Sequence, residues 1–206
     1  RLLSEKPGQS HDSYEWTVYT TWQMSFNRLS SSAARFLQLC SLLHHKGISE
    51  EFFINASKYQ HKSAIPTEQD LKNSLGFLSQ FTLPDKTWDS LRFQDVTAEI
   101  MAYSLMEFDP DQAMFSMHPL VHDWCQSIVI DQEACHSSII GILGMCIGCI
   151  PHHDTDLQSM RLVPHVDALL HGGTHMFPDF RYQYARIYRG AGHYMSQKSE
   201  FNYRPV

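Results

Sequence analysis

The spacing of apolar residues predicts a series of short amphipathic helices through the first half of the chain. Serines at positions 30 to 32 are suited to cap a helix, and Gly47 is expected to end it. The apolar face of this helix has members three or four positions apart: Phe36, Leu39, Cys40 and Leu43. Further helices are predicted from Ser49, over residues 68–80, and from Asp89 or Ser90. Residues 1–13 are polar and are predicted to form a loose lead-in.

A β-hairpin is predicted over residues 104–117, SLMEFDPDQAMFSM. Its apolar and polar positions alternate on either side of the turn sequence Asp109-Pro110-Asp111. Pro119 follows at once and suits the first position of a helix, where its missing N–H would have no partner. The predicted buried side of that helix carries Leu120, Val121, Trp124 and Ile128.

The order helix, helix, helix, hairpin, helix within about a hundred residues is that of a winged helix with one additional helix. Three more helical patterns follow, over residues 132–150, 155–171 and 179–197. The predicted fold class is therefore mainly α: a winged-helix module with a small β-hairpin, followed by a helical extension.

Charge argues against a nucleic-acid partner. The 206 residues carry a formal net charge of −6, which gives no general attraction to phosphate backbones or anionic lipid. The third helix of such modules often enters the DNA major groove. Here residues 85–131 hold two basic residues, Lys86 and Arg92, against nine acidic ones. The acidic residues are Asp85, Asp89, Asp95, Glu99, Glu107, Asp109, Asp111, Asp123 and Asp131. This surface would repel DNA.

Membrane and secretory signals are not predicted either. The opening residues, RLLSEKPGQS, contain no uninterrupted apolar stretch, and no later run approaches the roughly 20 apolar residues that span a bilayer. The five cysteines are an odd number scattered through apolar stretches, a pattern typical of reduced intracellular thiols. A cytoplasmic location is expected.

Two motifs raise the question of chemistry. Cys146-x-x-Cys149 with His152 and His153 contains enough ligands for a tetrahedral zinc site, but its spacing is tighter than that of zinc fingers. Buried free thiols are the simpler interpretation, so no metal ligand is predicted. His122-Asp123, His44-His45 and the serines could together form a hydrolase triad, yet no GxSxG elbow accompanies them. No catalytic residue and no enzyme activity are predicted.

Four segments carry a resemblance to a known family: AARFLQLCSLL, WDSLRFQDVTAEIMAYSLMEFD, FSMHPLVHDW and LVPHVDALL. In this order they resemble fungal NLR-like STAND ATPases of the NB-ARC type. In that family a nucleotide-binding core is followed by a winged helix and then by tetratricopeptide repeats. The resemblance extends from about Trp22 to Tyr194.

The resemblance implies a division of the chain into three parts. Residues 1–29 would be a lead-in from a nucleotide-binding core, and residues 30–131 the winged-helix domain. Residues 132–206 would be a helical connector and a partial first repeat. The chain is accordingly expected to be a piece of a longer protein. The segment YARIYRGAGHYMSQ looks like the opening of that repeat, although Gln197 stands where a small alanine is usual.

The resemblance also implies a nucleotide contact. In the family a Met-His pair at the start of the last winged-helix helix lies against ADP, and the histidine contacts the β-phosphate. The matching residues are Met117 and His118, the predicted cofactor-binding residues. Pro119 follows them, where plant and animal relatives often have an aspartate. The chain contains no GxxxxGK[ST] phosphate loop, so ADP or ATP would belong to the full-length protein and this chain is not expected to hydrolyse ATP.

The function implied by the resemblance is regulatory. The winged helix would couple the nucleotide state of an upstream nucleotide-binding domain to the arrangement of downstream repeats that act as a sensor, in cytosolic signalling. The alternative is a helical scaffold for protein–protein interaction without nucleotide coupling. An enzyme that uses the histidine-rich surface is a third interpretation.

Overall fold

The computed structural model describes residues 10–58, 68–149 and 155–171. It confirms a mainly α-helical protein with a small antiparallel sheet. In chain order the elements are α1 Ser10–Phe26, α2 Ser31–Cys40, β1 Lys46–Ile48, α3 Glu50–Ser57, α4 Glu68–Leu78, a 3-10 turn Ser79–Phe81, α5 Ser90–Ala102, β2 Glu107–Asp109, β3 Met114–Ser116, α6 Pro119–Ser127, α7 Gln132–Cys149 and α8 Thr155–His171. No helix in these three ranges is both long and apolar enough to cross a membrane.

The sheet has three strands and not the two of the predicted hairpin. β2 and β3 form that hairpin, and β1 pairs with β3 on its other side, which gives the order β1-β3-β2. β1 is three residues long, too short to show an alternating pattern. Together with α2, α3 and α5, the sheet has the element order of a winged helix. α4 is an additional helix between α3 and α5, the second and third helices of that order.

Gly47 does not end α2, contrary to the prediction. The helix already ends at Cys40, where the Ser41 N–H donates to the Leu37 carbonyl. Gly47 instead lies in β1 with φ of 83°, in the left-handed region that favours glycine. The pairing register of β1 against β3 shifts across this residue. The glycine therefore allows a bulge in the strand.

Side-chain caps fix the helix starts where the polar residues predicted them. Ser30 and Ser49 accept hydrogen bonds from the backbone N–H three residues ahead, each at 3.3 Å. Asp89 accepts from the Arg92 N–H at 3.0 Å. Each such cap contributes about 1 kcal/mol to helix stability. Glu99 of α5 also holds Ser30, with the serine hydroxyl 2.7 Å from its second carboxylate oxygen.

The core is centred on Phe36 of α2, which is fully buried. Its ring centroid lies 5.2 Å from that of Phe53 on α3 and 5.3 Å from that of Phe93 on α5. Phe77 and Phe81 complete the shell at 6.4 and 6.2 Å. Edge-to-face, tilted and stacked ring pairs at these distances add to the stabilisation from burial alone. The aromatic cluster joins the helices of the winged-helix module into one unit.

α7 packs mainly against α3 and α4 and buries its apolar residues in the same core. The α4–α7 contact is close because Gly141 has no side chain: an added Cβ would lie 2.1 Å from the Ser74 hydroxyl oxygen and 2.9 Å from the Asp70 carbonyl oxygen. Polar groups line this contact, where the Ser74 hydroxyl donates to the Ser138 carbonyl at 2.9 Å. The Ser137 hydroxyl donates to the Asp70 carboxylate across the same seam.

Two further predictions are corrected. Residues 10–13 were expected to belong to a loose lead-in, but they form the first turn of α1. On α6, Leu120 is 55% exposed, while Val121, Trp124 and Cys125 face the core. Ile128 lies just after the end of the helix and is half-buried. The apolar residues of α6 cover more than one face, so packing selected the buried side. The helix predicted over residues 179–197 and the repeat sequence lie outside the described residues.

Candidate functional site at the start of α6

The site is the turn that leads from β3 into α6. Met117 anchors it: its backbone N–H donates to the His45 carbonyl at 2.8 Å, and its side chain is 2% exposed. His118 comes next and is exposed. The structure therefore divides the predicted cofactor-binding pair. The Met117 side chain is in the core and holds the turn in place, and of the two side chains His118 faces outward.

His118 is the N-cap of α6, and its cap fixes which ring nitrogen carries the proton. Its Nδ1 accepts a hydrogen bond from the Leu120 N–H at 3.3 Å. An accepting Nδ1 is unprotonated, so in the neutral ring the proton is on Nε2. The exposed imidazole can therefore act as a hydrogen-bond donor to a neighbouring group. Capping and donation use different nitrogens and do not compete.

The amides of α6 add less to anion binding than a helix start usually does. Pro119 has no N–H, and that of Leu120 is already bound by His118. The helix dipole still favours an anion at this end. An anion at this turn would thus depend mainly on the imidazole and the dipole.

Two other histidines surround the anchor of this turn. His45 supplies the carbonyl that holds Met117, and its ring lies 6.0 Å from the His122 ring, measured between centroids. Partial burial, together with the neighbouring positive charge of His44, lowers the pKa of His45. His122 is buried, and its Nε2 donates to the Leu43 carbonyl at 2.8 Å. Both residues are therefore part of the support of the site.

The His122-Asp123 pair does not have the geometry of a hydrolase triad. In a triad the histidine receives the nucleophile's proton at Nε2, while Nδ1–H is held by the acid. Here Nε2 of His122 is occupied as a donor to Leu43, and Nδ1 lies 3.6 Å from the Asp123 carboxylate. The arrangement in which Nε2 of this histidine takes the proton of a nucleophile is therefore not present here.

The four cysteines whose side chains the structure describes are buried, and none of them is in a disulfide bond. Burial raises the pKa of Cys125 to about 12 and that of Cys40 well above its ordinary value. Cys135 and Cys146 are buried as well. Such thiols are poor nucleophiles. In the described part of the chain no group of His, Cys, Asp and Glu is arranged to hold a metal ion. The Cys149 side chain, His152 and His153 lie outside it.

A second surface feature is an apolar groove of about 500 Å³ between α3, α5 and the β2–β3 hairpin. Phe93 and Met101 of α5 form its floor together with Phe115 of β3. Phe108 of β2, 44% exposed, also lines it, and its ring packs at a tilt against that of Phe115, with 4.8 Å between centroids. Sequence periodicity did not predict this groove, because it forms only when β2 and β3 fold back beside α5.

The fold and the turn at His118 describe a mainly α protein built on a winged-helix arrangement, with an exposed histidine at the start of α6. Residues 24–133 match DUF7779, a domain of unknown function. The match covers more than half of the chain, which therefore belongs to the DUF7779 family. It begins within α1 and includes every element from α2 to α6. No curated protein and no solved structure shows a significant match.

Proposed function

We propose that this chain is a regulatory part of a STAND-type signalling ATPase, in which the turn at His118 couples bound nucleotide to domain arrangement. In the closed form, Nε2–H of His118 would donate to the β-phosphate of ADP held by an upstream nucleotide-binding domain. The observation that carries this proposal is the outward donor at the start of α6, on a turn fixed by Met117 and His45. That the full-length protein binds a nucleotide is inferred from the motif resemblance to STAND ATPases.

The rigidity of the turn is what would make it useful. A side chain on a mobile loop could follow a nucleotide through any domain arrangement, whereas a fixed donor reaches the phosphate only in one. ADP would then stabilise the closed form by its extra contact there, and loss of the contact would favour the open form. In this proposal Met117 acts as the anchor, and His118 makes the nucleotide contact.

The location and partners follow from the same proposal. The protein would act in the cytosol, in keeping with the absence of a disulfide bond at the described cysteines. Its partners would be the nucleotide-binding domain before it and the repeats after it. This role requires no catalytic group among the described residues.

The proposal is tested by separating the two uses of the His118 ring. In the full-length gene product, His118→Ala removes both the cap and the donor, whereas His118→Ser keeps a capping oxygen and removes the imidazole. We expect both variants to weaken ADP binding about tenfold, the effect of losing one hydrogen bond to a charged group. Isothermal titration calorimetry with ADP measures this, and His136→Ala on α7 is the control.

Full ADP affinity in His118→Ser, with a loss only in His118→Ala, would show that the residue is merely a cap. The gene provides an independent check. The region before the codon for Arg1 should encode a GxxxxGK[ST] loop and acidic residues that bind magnesium. A gene without them would contradict the proposal.

The second candidate function is a protein–protein interaction module without nucleotide coupling, and the groove beside Phe108 favours it. Leu91, at the start of α5, is 75% exposed and extends the apolar surface along that helix. Glu50 and Glu51 of α3 line the groove. Arg161 of α8 also lines the groove and pairs with Glu51, which leaves Glu50 as the excess negative charge of the lining. This charge favours a partner segment with an apolar anchor and basic flanks over nucleic acid.

A Lys-rich amphipathic peptide with one Phe anchor tests this second function, and its matched control replaces each Lys with Glu. Binding is followed by NMR on the isotope-labelled chain. We expect shifts confined to residues around Ala98 and Phe108, and their loss in Ala98→Arg, which fills the groove. Equal binding of the Glu-containing peptide would contradict it.

A further inference from the structure

His165 of α8 is buried in an unusual way for a titratable side chain. It follows Pro164 within the helix and is 3% exposed. Its Nε2 donates to the Gly47 carbonyl of β1 at 3.0 Å. Its Nδ1 is also buried and has no hydrogen-bond partner among the described residues. The neutral ring leaves one lone pair unsatisfied, but a protonated ring would bury a charge and an N–H without an acceptor.

The surroundings of the ring do not offer a compensating negative charge. On the β1 side the His44 ring lies 6.4 Å away between centroids, with Lys46 beyond it. On the α3 side the Phe52 ring lies 6.2 Å away. Glu51 of α3 is paired with Arg161 of α8, with 3.8 Å between their charged atoms.

The described residues of α8 itself and of α7 place no compensating negative charge beside the His165 ring either. Asp167 lies two positions after His165 on α8, and residues with that spacing do not face each other on a helix. From α7, Cys146 lines a small cavity together with Arg161 and Leu162. The neighbours of His165 are therefore neutral or positively charged, apart from carboxylates directed elsewhere.

We propose that His165 is an acid-sensitive latch that docks α8 on β1 while its imidazole is neutral and releases the helix when the imidazole is protonated. Three apolar side chains of α8, Leu162, Val166 and Leu169, are buried with it. These contacts define the docked position. Docking depends on the charge of His165 because protonation would place an N–H and a positive charge at the buried Nδ1, which has no acceptor among the described residues.

The direction of the pH effect follows from proton uptake. Burial lowers the pKa of His165 to about 4, from the ordinary value of 6.5. The released helix would therefore bind one more proton than the docked one between these two values. Docking is complete above pH 6.5 and weakens as the pH falls towards 4. Between pH 7.5 and pH 5.0 the docking equilibrium constant should fall roughly 30-fold.

The latch lies close to the candidate site without depending on it. Gly47 is two residues after His45, whose carbonyl anchors Met117. Release of α8 would remove a contact from the strand β1 next to that anchor. The proposal concerns α8 and β1 only, and it holds or fails whether or not the His118 turn meets a nucleotide.

Hydrogen exchange measured by mass spectrometry tests the latch on the 206-residue chain at pH 7.5 and pH 5.0. After correction for intrinsic exchange rates, the amides of residues 160–169 should lose protection roughly 30-fold at pH 5.0. The amides of α2 are the internal reference and should change much less. Unchanged protection of α8 at pH 5.0 would overturn the proposal.

His165→Gln is the matched variant, because its amide N–H can donate to Gly47 and it has no charge at any pH. We expect this variant to keep α8 docked at both pH values. His44→Gln is the control and should retain the pH effect of the natural chain. If His44→Gln abolished the effect and His165→Gln did not, the titrating group would be His44 and the proposal would be wrong.

A second measurement guards against a variant that docks poorly at pH 7.5. Proton NMR of the imidazole C2–H signals follows His165 directly in the natural chain, with its signal assigned by its absence in His165→Gln. We expect no titration of the docked ring near pH 6.5 and the loss of its signal as α8 is released. A simple titration centred at 6.5, with α8 still protected, contradicts the latch.

Discussion

The aromatic core and the α4–α7 contact hold the same molecule together by different physical means. Four phenylalanines surround Phe36 and fill space, and most of the stabilisation there comes from the burial of apolar surface, which has no direction. Between α4 and α7, Gly141 lets the helices approach until hydroxyl groups bond across the seam. The first region depends on volume and the second on close approach. Substitutions should therefore affect the two regions by different rules.

The largest effect is expected in the aromatic core. Phe36→Ala should lower the free energy of unfolding by about 3–5 kcal/mol, because it removes the ring in the centre of the cluster and leaves a cavity. Phe36→Leu, which retains most of the volume, should cost clearly less. Urea unfolding followed by circular dichroism measures both. Similar losses for the two variants would mean that ring geometry matters more than volume.

The α4–α7 seam should respond to a single added methyl group. Gly141→Ala is expected to lower the free energy of unfolding by about 1–3 kcal/mol, because the new Cβ meets the rigid Asp70 carbonyl as well as Ser74. The matched control is Gly76→Ala on α4, where an added Cβ meets nothing within 4 Å. This control should stabilise the chain by up to about 1 kcal/mol through helix propensity. The same sign for both variants would disprove the close-approach argument.

The smallest effect is expected on the outer side of α6. Leu120→Ser should change the free energy of unfolding by no more than about 0.5 kcal/mol, because Leu120 is 55% exposed. Val121→Ala on the inner side should cost about 2 kcal/mol. Thermal unfolding of the pair measures the difference. A large loss in Leu120→Ser would mean that another part of the protein covers this leucine.

The proposed site shows which of its features could be predicted from a sequence motif. The motif resemblance selected Met117 and His118, and Pro119 placed the helix start beside them. The pattern could not show that Met117 would be buried or that Nδ1 of His118 would be used as a cap. Those two facts depend on the tertiary structure, namely on the position of the His45 carbonyl and on the direction in which α6 leaves the turn. The role of His165 was beyond any local pattern, because its partner Gly47 is 118 positions away.

Local chemistry in the chain was enough to define the helix starts and the β2–β3 hairpin. Ser30, Ser49 and Asp89 bond to backbone groups only three positions away, so their neighbours in sequence contain all that is needed. The strand β1 and the inner face of α6 needed the folded chain. A three-residue strand exists only through pairing with β3, and α6 carries more apolar side chains than the core could bury. Contacts between residues distant in sequence therefore decided both the formation of β1 and the buried face of α6.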